Sequence, residues 1–157
     1  MDSRTRAVGW LLVAGQFALL LGLLVTPRRA PSLGWAVVGG ALVLAGLGLA
    51  AWAMVRLGDA LTPTPVPRDR AALRTDGPYA RIRHPIYSGL LLAATGYVIA
   101  VGTWSTVAIL AALLTFFRVK ARFEDRLLAQ AHESEWPDWA TRTGALVPRM
   151  RRRGSPQ

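Results

Sequence analysis

The chain has no cysteine and only two histidines, His84 and His132, among its 157 residues. The missing cysteines exclude a disulfide framework, a thiolate zinc site, a cysteine nucleophile and an iron–sulfur centre. Two histidines leave little from which to build a metal site, so the expected chemistry needs no metal. Acidic residues are also few: 9 Asp and Glu stand against 19 Lys and Arg, a net charge of +10. Charged residues make up 18% of the chain, below the roughly 25% of a soluble domain. Apolar residues make up 52% and the mean hydropathy is +0.31. A soluble nucleic-acid binder can be this basic but is not this apolar. No soluble basic module is available to carry nucleic acid, and none is expected as a partner.

What the chain does have is long apolar runs. Residues 7–25 and 33–55 contain no charge, and both reach the roughly 20 residues that span about 30 Å of hydrocarbon. From His84 to Phe117 another 34 residues pass without a formal charge. As one straight helix that stretch would be about 50 Å long, too long for a single crossing. Gly102-Thr103 is the natural turn, which gives spans over about 86–101 and 103–117 as a tight hairpin. The sequence therefore predicts an all-α integral membrane protein with four transmembrane helices. The first run reads as a retained span, since no small-residue cleavage site precedes Thr26-Pro27.

With four crossings, both tails and the second loop share one side. That side carries seventeen basic residues and the other carries Arg28 and Arg29. The positive-inside rule then puts both termini in the cytoplasm. Trp10, Trp35, Trp52 and Trp104 fall near span ends, as an aromatic belt requires. The basic excess is accounted for by topology and by attraction to anionic lipid headgroups. Gly46-x-Gly48-x-x-Ala51 resembles a dinucleotide fingerprint on paper, but it lies inside a span and reads as helix packing. Small residues four apart, Ala18/Gly22, Ala36/Gly40 and Ala41/Ala45, are the expected packing positions.

The chemistry must lie at the cytoplasmic side. Residues 56–85 carry Pro63, Pro65, Pro67, Pro78 and Pro85 and cannot form a regular helix. Thr62 to Pro67 reads as an extended strap, and Asp76-Gly77-Pro78-Tyr79 as a turn. Next, Arg81-Ile82-Arg83-His84-Pro85-Ile86-Tyr87 crowds cations and tyrosines at a membrane boundary. Pro85 suits a first helical turn, whose free N–H groups with the two arginines would seat a carboxylate or phosphate. Snorkelling arginines and interfacial tyrosines explain the same run equally well. After the fourth span, the helix is expected to continue out of the bilayer through Lys120, Glu124 and Asp125. Glu124 would bind a cationic ligand group, or pair with Lys120 at the surface to little effect. Glu135-Trp136-Pro137-Asp138-Trp139 and Leu146-Val147-Pro148 are expected to fold back as a lid. The chain is read as one membrane domain: a two-span unit over 1–60, a catalytic core over 61–149 and a basic, disordered tail over 150–157.

Two segments resemble the isoprenylcysteine carboxyl methyltransferase family, within a wider group that includes phospholipid N-methyltransferases. One is Gly77-Pro78-Tyr79 through Arg83-His84-Pro85-Ile86-Tyr87-Ser88-Gly89. The other is Phe117-Arg118 through Glu124-Asp125 to Glu135-Trp136. The resemblance implies methyl transfer from S-adenosylmethionine to a lipophilic acceptor that arrives from the bilayer. It further implies cofactor contacts from Leu73, Arg74, Tyr79, His84, Pro85, Ile86, Tyr87 and Glu124. Lys120 would face the acceptor carboxylate, with Arg118 beside it as a second catalytic and substrate-binding cation. Family members carry Arg where this chain has Lys120, and Lys is a point charge rather than a bidentate fork; Arg118 or Arg122 would supply the difference. Asp125 stands where the family has a second Glu.

Aligned displacement at a sulfonium methyl requires no metal and no cysteine. A carboxylate acceptor is already ionised; an amine would need a base, for which Glu124 and His84 are candidates. The Arg-, Ala-, Gly- and Leu-rich composition suggests a GC-rich bacterial genome, hence the plasma membrane and an isoprenoid, fatty or lipid acceptor. A phospholipid N-methyltransferase, an NADPH-dependent sterol-type reductase and a non-catalytic membrane protein remain the alternatives. Oligomeric state is not legible in the sequence.

Overall fold

The computed structural model describes residues 3–65 and 72–149. The expected tail over 150–157 and the Val66-Pro67 end of the strap lie outside the described residues. Five helices follow in order: α1 (Ser3–Val25), α2 (Leu33–Leu57), α3 (Pro85–Val101), α4 (Trp104–Ala131) and α5 (Trp136–Arg142). Short 3-10 turns occupy Gly58–Ala60 and Gly77–Ala80. Among the described residues no strand forms; Ile82 and Gly144 make one isolated parallel bridge.

Among the described residues three helices are long and apolar enough to cross a membrane: α1, α2 with its 3-10 extension, and α4. The fourth expected span, α3, is apolar but only 17 residues long. The boundary between α3 and α4 falls at Gly102-Thr103 because Thr103 caps the next helix. Its hydroxyl accepts from the Thr106 N–H at 3.4 Å, and Thr106 Oγ1 accepts in return from the Thr103 N–H at 2.9 Å. This reciprocal box satisfies two N–H groups that a helix start otherwise leaves open. Past 117, α4 does not stop. It continues as one helix of 28 residues, about 42 Å at 1.5 Å per residue, and so carries Lys120, Glu124 and Asp125 on the same rigid rod.

The helices pack in two antiparallel pairs, α2 on α3 and α1 on α4. The α2–α3 contact is backbone to backbone. A Cβ added at Gly39 would sit 2.5 Å from the Gly96 carbonyl oxygen, and one added at Gly89 would sit 2.5 Å from that of Gly46. Gly39, Gly46 and the fully buried Ala53 recur every seven residues along α2, matched by Gly89 and Gly96 on α3. The expected spacing of four is therefore corrected to seven here, and Gly40 and Gly48 face open space. A straight helix returns nearly to the same face after two turns, so a seven-residue spacing keeps the small residues in one seam.

Apolar packing forms two clusters. Leu23, Tyr87, Val98, Leu113 and Phe117 fill the space between α1, α3 and α4. Ala53, Tyr79 and Trp139 fill a smaller one between α2, the Gly77–Ala80 turn and α5. Between these clusters lies the site.

Candidate active site

The segment before α3 is held by the C-terminal segment. Arg83 N–H donates to the Gly144 carbonyl at 2.8 Å, His84 N–H to Ala145 at 3.0 Å, and Gly144 N–H returns to Arg81 at 3.1 Å. Ser88 Oγ donates to the Leu146 carbonyl at 2.6 Å. Trp139 is 4% exposed, and its indole N–H donates to the Tyr79 carbonyl at 2.9 Å. The Trp-rich C-terminus is thus folded back over the site, as its composition suggested.

Arg83 joins three elements. Its guanidinium grips Asp125 of α4 through Nε at 3.2 Å and Nη2 at 3.1 Å. Its Nη1 donates to the carbonyls of Ala140 at 3.2 Å and Thr143 at 2.8 Å, at the end of α5. A planar fork with five donors can do this where a lysine cannot. Trp136 lies beneath the same guanidinium, 6.0 Å from Cζ to ring centroid.

His84 is buried between two carboxylates. Its Nε2 is 2.9 Å from Asp125 Oδ1 and its Nδ1 is 3.2 Å from Glu124 Oε2. Both ring nitrogens can donate only in the imidazolium. Burial alone would lower its pKa, but the charge of Glu124 and the bonds to both carboxylates outweigh that and push it up to about 9. Tyr87 donates its hydroxyl to Glu124 Oε2 at 2.8 Å. The rings of His84 and Tyr87 stack at 5.4 Å, one helical turn apart, and Tyr87 stacks on Phe117 at 5.1 Å. Burial, then Glu124, raises the Tyr79 phenol well above its ordinary range. Lys120 does not pair with Glu124 on an open surface. It is 4% exposed, donates to Gln16 Oε1 of α1, and lies 4.9 Å over the Tyr87 ring.

These groups border one cavity of about 230 Å³. Leu73, Arg74, Tyr79 and His84 line it, as do Pro85, Ile86, Tyr87 and Glu124. Lys120 lines it too, whereas Arg118 does not and is exposed. Two residues along a helix is a turn of about 200°, so Arg118 and Lys120 look in opposite directions. Arg122, two residues past Lys120, is likewise exposed. The strap contributes Thr62 to Pro65, α1 contributes Val13, Gln16 and Phe17, and α2 contributes Met54 and Leu57. Polar groups thus gather on the α3–α4 side and apolar ones toward α1 and α2. No group of three or more His, Asp or Glu arranged to hold a metal ion occurs among the described residues.

Sequence reasoning placed Arg83 beside Arg81 in an anion seat and Trp139 in the lid; the structure instead engages the Arg83 guanidinium with Asp125 and two backbone carbonyls, and Gln16 was passed over. Gln16 could have been found: it is the one amide in the apolar run 7–25, and a polar side chain inside a span is a functional signal.

Among the described residues, helices able to cross a membrane and a cavity lined by Arg83, His84, Lys120 and Glu124 define a protein of the membrane-embedded class. Residues 35–135 match the phospholipid methyltransferase family, and the chain belongs to it. It is 35% identical over 81 residues to proteins named probable protein-S-isoprenylcysteine O-methyltransferase from Oryza sativa, subspecies indica and japonica. The match covers 51% of this chain and 42% of each of them. It is 37% identical over 84 residues to the cobalt-zinc-cadmium resistance protein CzcN of Cupriavidus metallidurans, covering 53% of this chain and 38% of that protein. The matches thus span about two fifths of the length of these relatives.

Proposed function

We propose that the protein is an S-adenosylmethionine-dependent methyltransferase that esterifies the carboxylate of a lipophilic acceptor at the cytoplasmic face of the membrane. On this reading the chain crosses four times, with α3 and α4 as a hairpin and both termini inside. The observation that carries the proposal is the convergence of the α3 start with Lys120 and Glu124 of α4 on one cavity. The chemistry of the lining fits the cofactor: a carboxylate, Glu124, for its ammonium, a cation at the rim, Arg74, for its carboxylate, and aromatic and apolar walls for the nucleoside. At about 230 Å³ the cavity is below the roughly 300 Å³ at which ligand pockets usually begin.

When bound, S-adenosylmethionine supplies an electrophilic methyl group on a sulfonium and a neutral thioether leaving group. The protein's part is alignment and exclusion of water. Tyr87 and His84 fix the Glu124 carboxylate by two bonds to Oε2. Asp125, held by Arg83, fixes His84 from the other side. The C-terminal segment closes over that group, and Lys120 presents the only buried ammonium in the lining to an acceptor anion.

Phospholipid N-methylation is the second reading, favoured by the family match. It needs a group to take the proton of an amine; His84 is held as the imidazolium between two carboxylates, and Glu124 is already engaged by His84 and Tyr87. A buried Lys120 beside the acceptor would also repel an ammonium headgroup. The test is transfer of labelled methyl from S-adenosylmethionine to lipid extracts by the purified protein. Label released as methanol by mild alkali marks an ester and supports the proposal. Alkali-stable label marks an N-, S- or ether-linked methyl product and refutes it.

A further inference from the structure

The α1 helix lies outside the matched family segment, which begins at residue 35, yet it supplies part of the cavity wall through Val13, Gln16 and Phe17. Gln16 also holds Lys120. The direction of that contact is informative. Gly15 packs on Phe116, and Gly22 lies by Ile109, so in this antiparallel register Gln16 sits roughly a turn deeper toward the membrane than the Lys120 Cα. A lysine where a span leaves the apolar region ordinarily snorkels outward to water. Lys120 instead turns inward, against the Tyr87 face and the Gln16 amide, and is 4% exposed.

An ammonium can only donate, so it fixes the Gln16 amide with its oxygen toward Nζ. The two amide N–H groups are left over from that bond. We infer that Gln16 and Lys120 together form a two-donor seat for the acceptor carboxylate, with Gln16 as the residue that sets specificity for an anionic headgroup. The inference rests on the methyl-ester reading above. A lone lysine is a point charge; the adjoining amide adds the second, directional donor that a planar carboxylate needs. Arg118 and Arg122, the cations first considered for that role, are exposed. Val13 and Phe17, on either side of Gln16, would flank the start of the acceptor's apolar chain.

The test uses the full chain in detergent and two probes, N-acetyl-S-farnesylcysteine and its methyl ester, with S-adenosylmethionine binding measured in parallel. The wild type is expected to bind the acid at least tenfold more tightly than the ester. Gln16→Leu should cut that preference about threefold or more, since the Lys120 charge remains, and Gln16→Glu should abolish it, each leaving S-adenosylmethionine affinity within about twofold. Lys120→Arg, which carries two parallel donors on one side chain, should restore the preference in the Gln16→Leu background. Equal binding of acid and ester by the wild type would overturn the seat, while retained S-adenosylmethionine binding would leave the methyltransferase reading standing. Preference cut by less than about threefold in Gln16→Leu, or kept in Gln16→Glu, would overturn it, as would failure of Lys120→Arg to restore it. Loss of S-adenosylmethionine affinity in both single variants would make Gln16 a folding residue and overturn its role in specificity.

Discussion

At the scale of single residues, His84 ties the site together and gives a pH signature. Its folded pKa of about 9 lies above the ordinary 6.5. The stabilisation is therefore complete below about pH 6.5, shrinks as pH rises, and is gone above about 9. The melting temperature of the detergent-solubilised protein should fall between those values, and His84→Gln should flatten that fall. An unchanged slope in the variant would show that His84 is not the titrating group. Arg83→Ala should cost more than an exposed arginine would, roughly 2–3 kcal/mol, because it takes one of two cationic partners from Asp125, leaving His84, and strips the donors from the Ala140 and Thr143 carbonyls. By contrast Arg56→Ala, which loses only an exposed pair with Asp76, should change stability by less than about 1 kcal/mol. Denaturation of the three proteins side by side checks the ordering. The cavity residues on α3 and α4 were legible because their types and order form a recognisable run. The partners of Arg83 were not, because Asp125 and two carbonyls near the end of α5 are far from it in the chain.

At the scale of elements, the helix ends were readable and the helix partners were not. Pro85 and Gly102-Thr103 mark α3 and α4 by local chemistry, and the charges after Phe117 showed where α4 leaves the apolar region. Which glycines touch another backbone depends on which helix lies opposite, and spacing alone could not decide between Gly39 and Gly40. The structure makes the difference testable. Gly46→Ala and Gly96→Ala place a Cβ against a backbone carbonyl at 2.5 Å and should destabilise the fold by several degrees in melting temperature. Gly40→Ala and Gly48→Ala meet nothing within 4 Å and should be neutral or slightly stabilising, since Ala is the better helix former. Equal effects from both pairs would contradict the seven-residue seam. The α5 segment should behave as a lid latched by Arg83: hydrogen exchange over 136–146 should quicken in Arg83→Ala and slow when S-adenosylmethionine is added.

At the scale of the whole molecule, two helix pairs meet where α1 and α2 offer mostly apolar walls, and the segment before α3 together with α4 offers the charges. That division of labour suits a reaction between a polar donor and a lipophilic acceptor. The four-crossing topology is open to a clean experiment, since the chain has no native cysteine to remove. Single cysteines at Ser3 and Ser134 should label from the cytoplasmic side, and at Ser32 and Ser105 from the other. The same side for Ser32 and Ser134 would refute it. The central claim is that the cavity is a cofactor site, and calorimetric titration of the purified protein tests it most directly. S-adenosylmethionine and S-adenosylhomocysteine should bind at micromolar concentration and NADPH should not. Binding should disappear in Glu124→Ala, which removes a cavity carboxylate, and persist in Arg118→Ala, which lies outside. Binding of NADPH in place of these ligands, or of none of the three, would contradict the account.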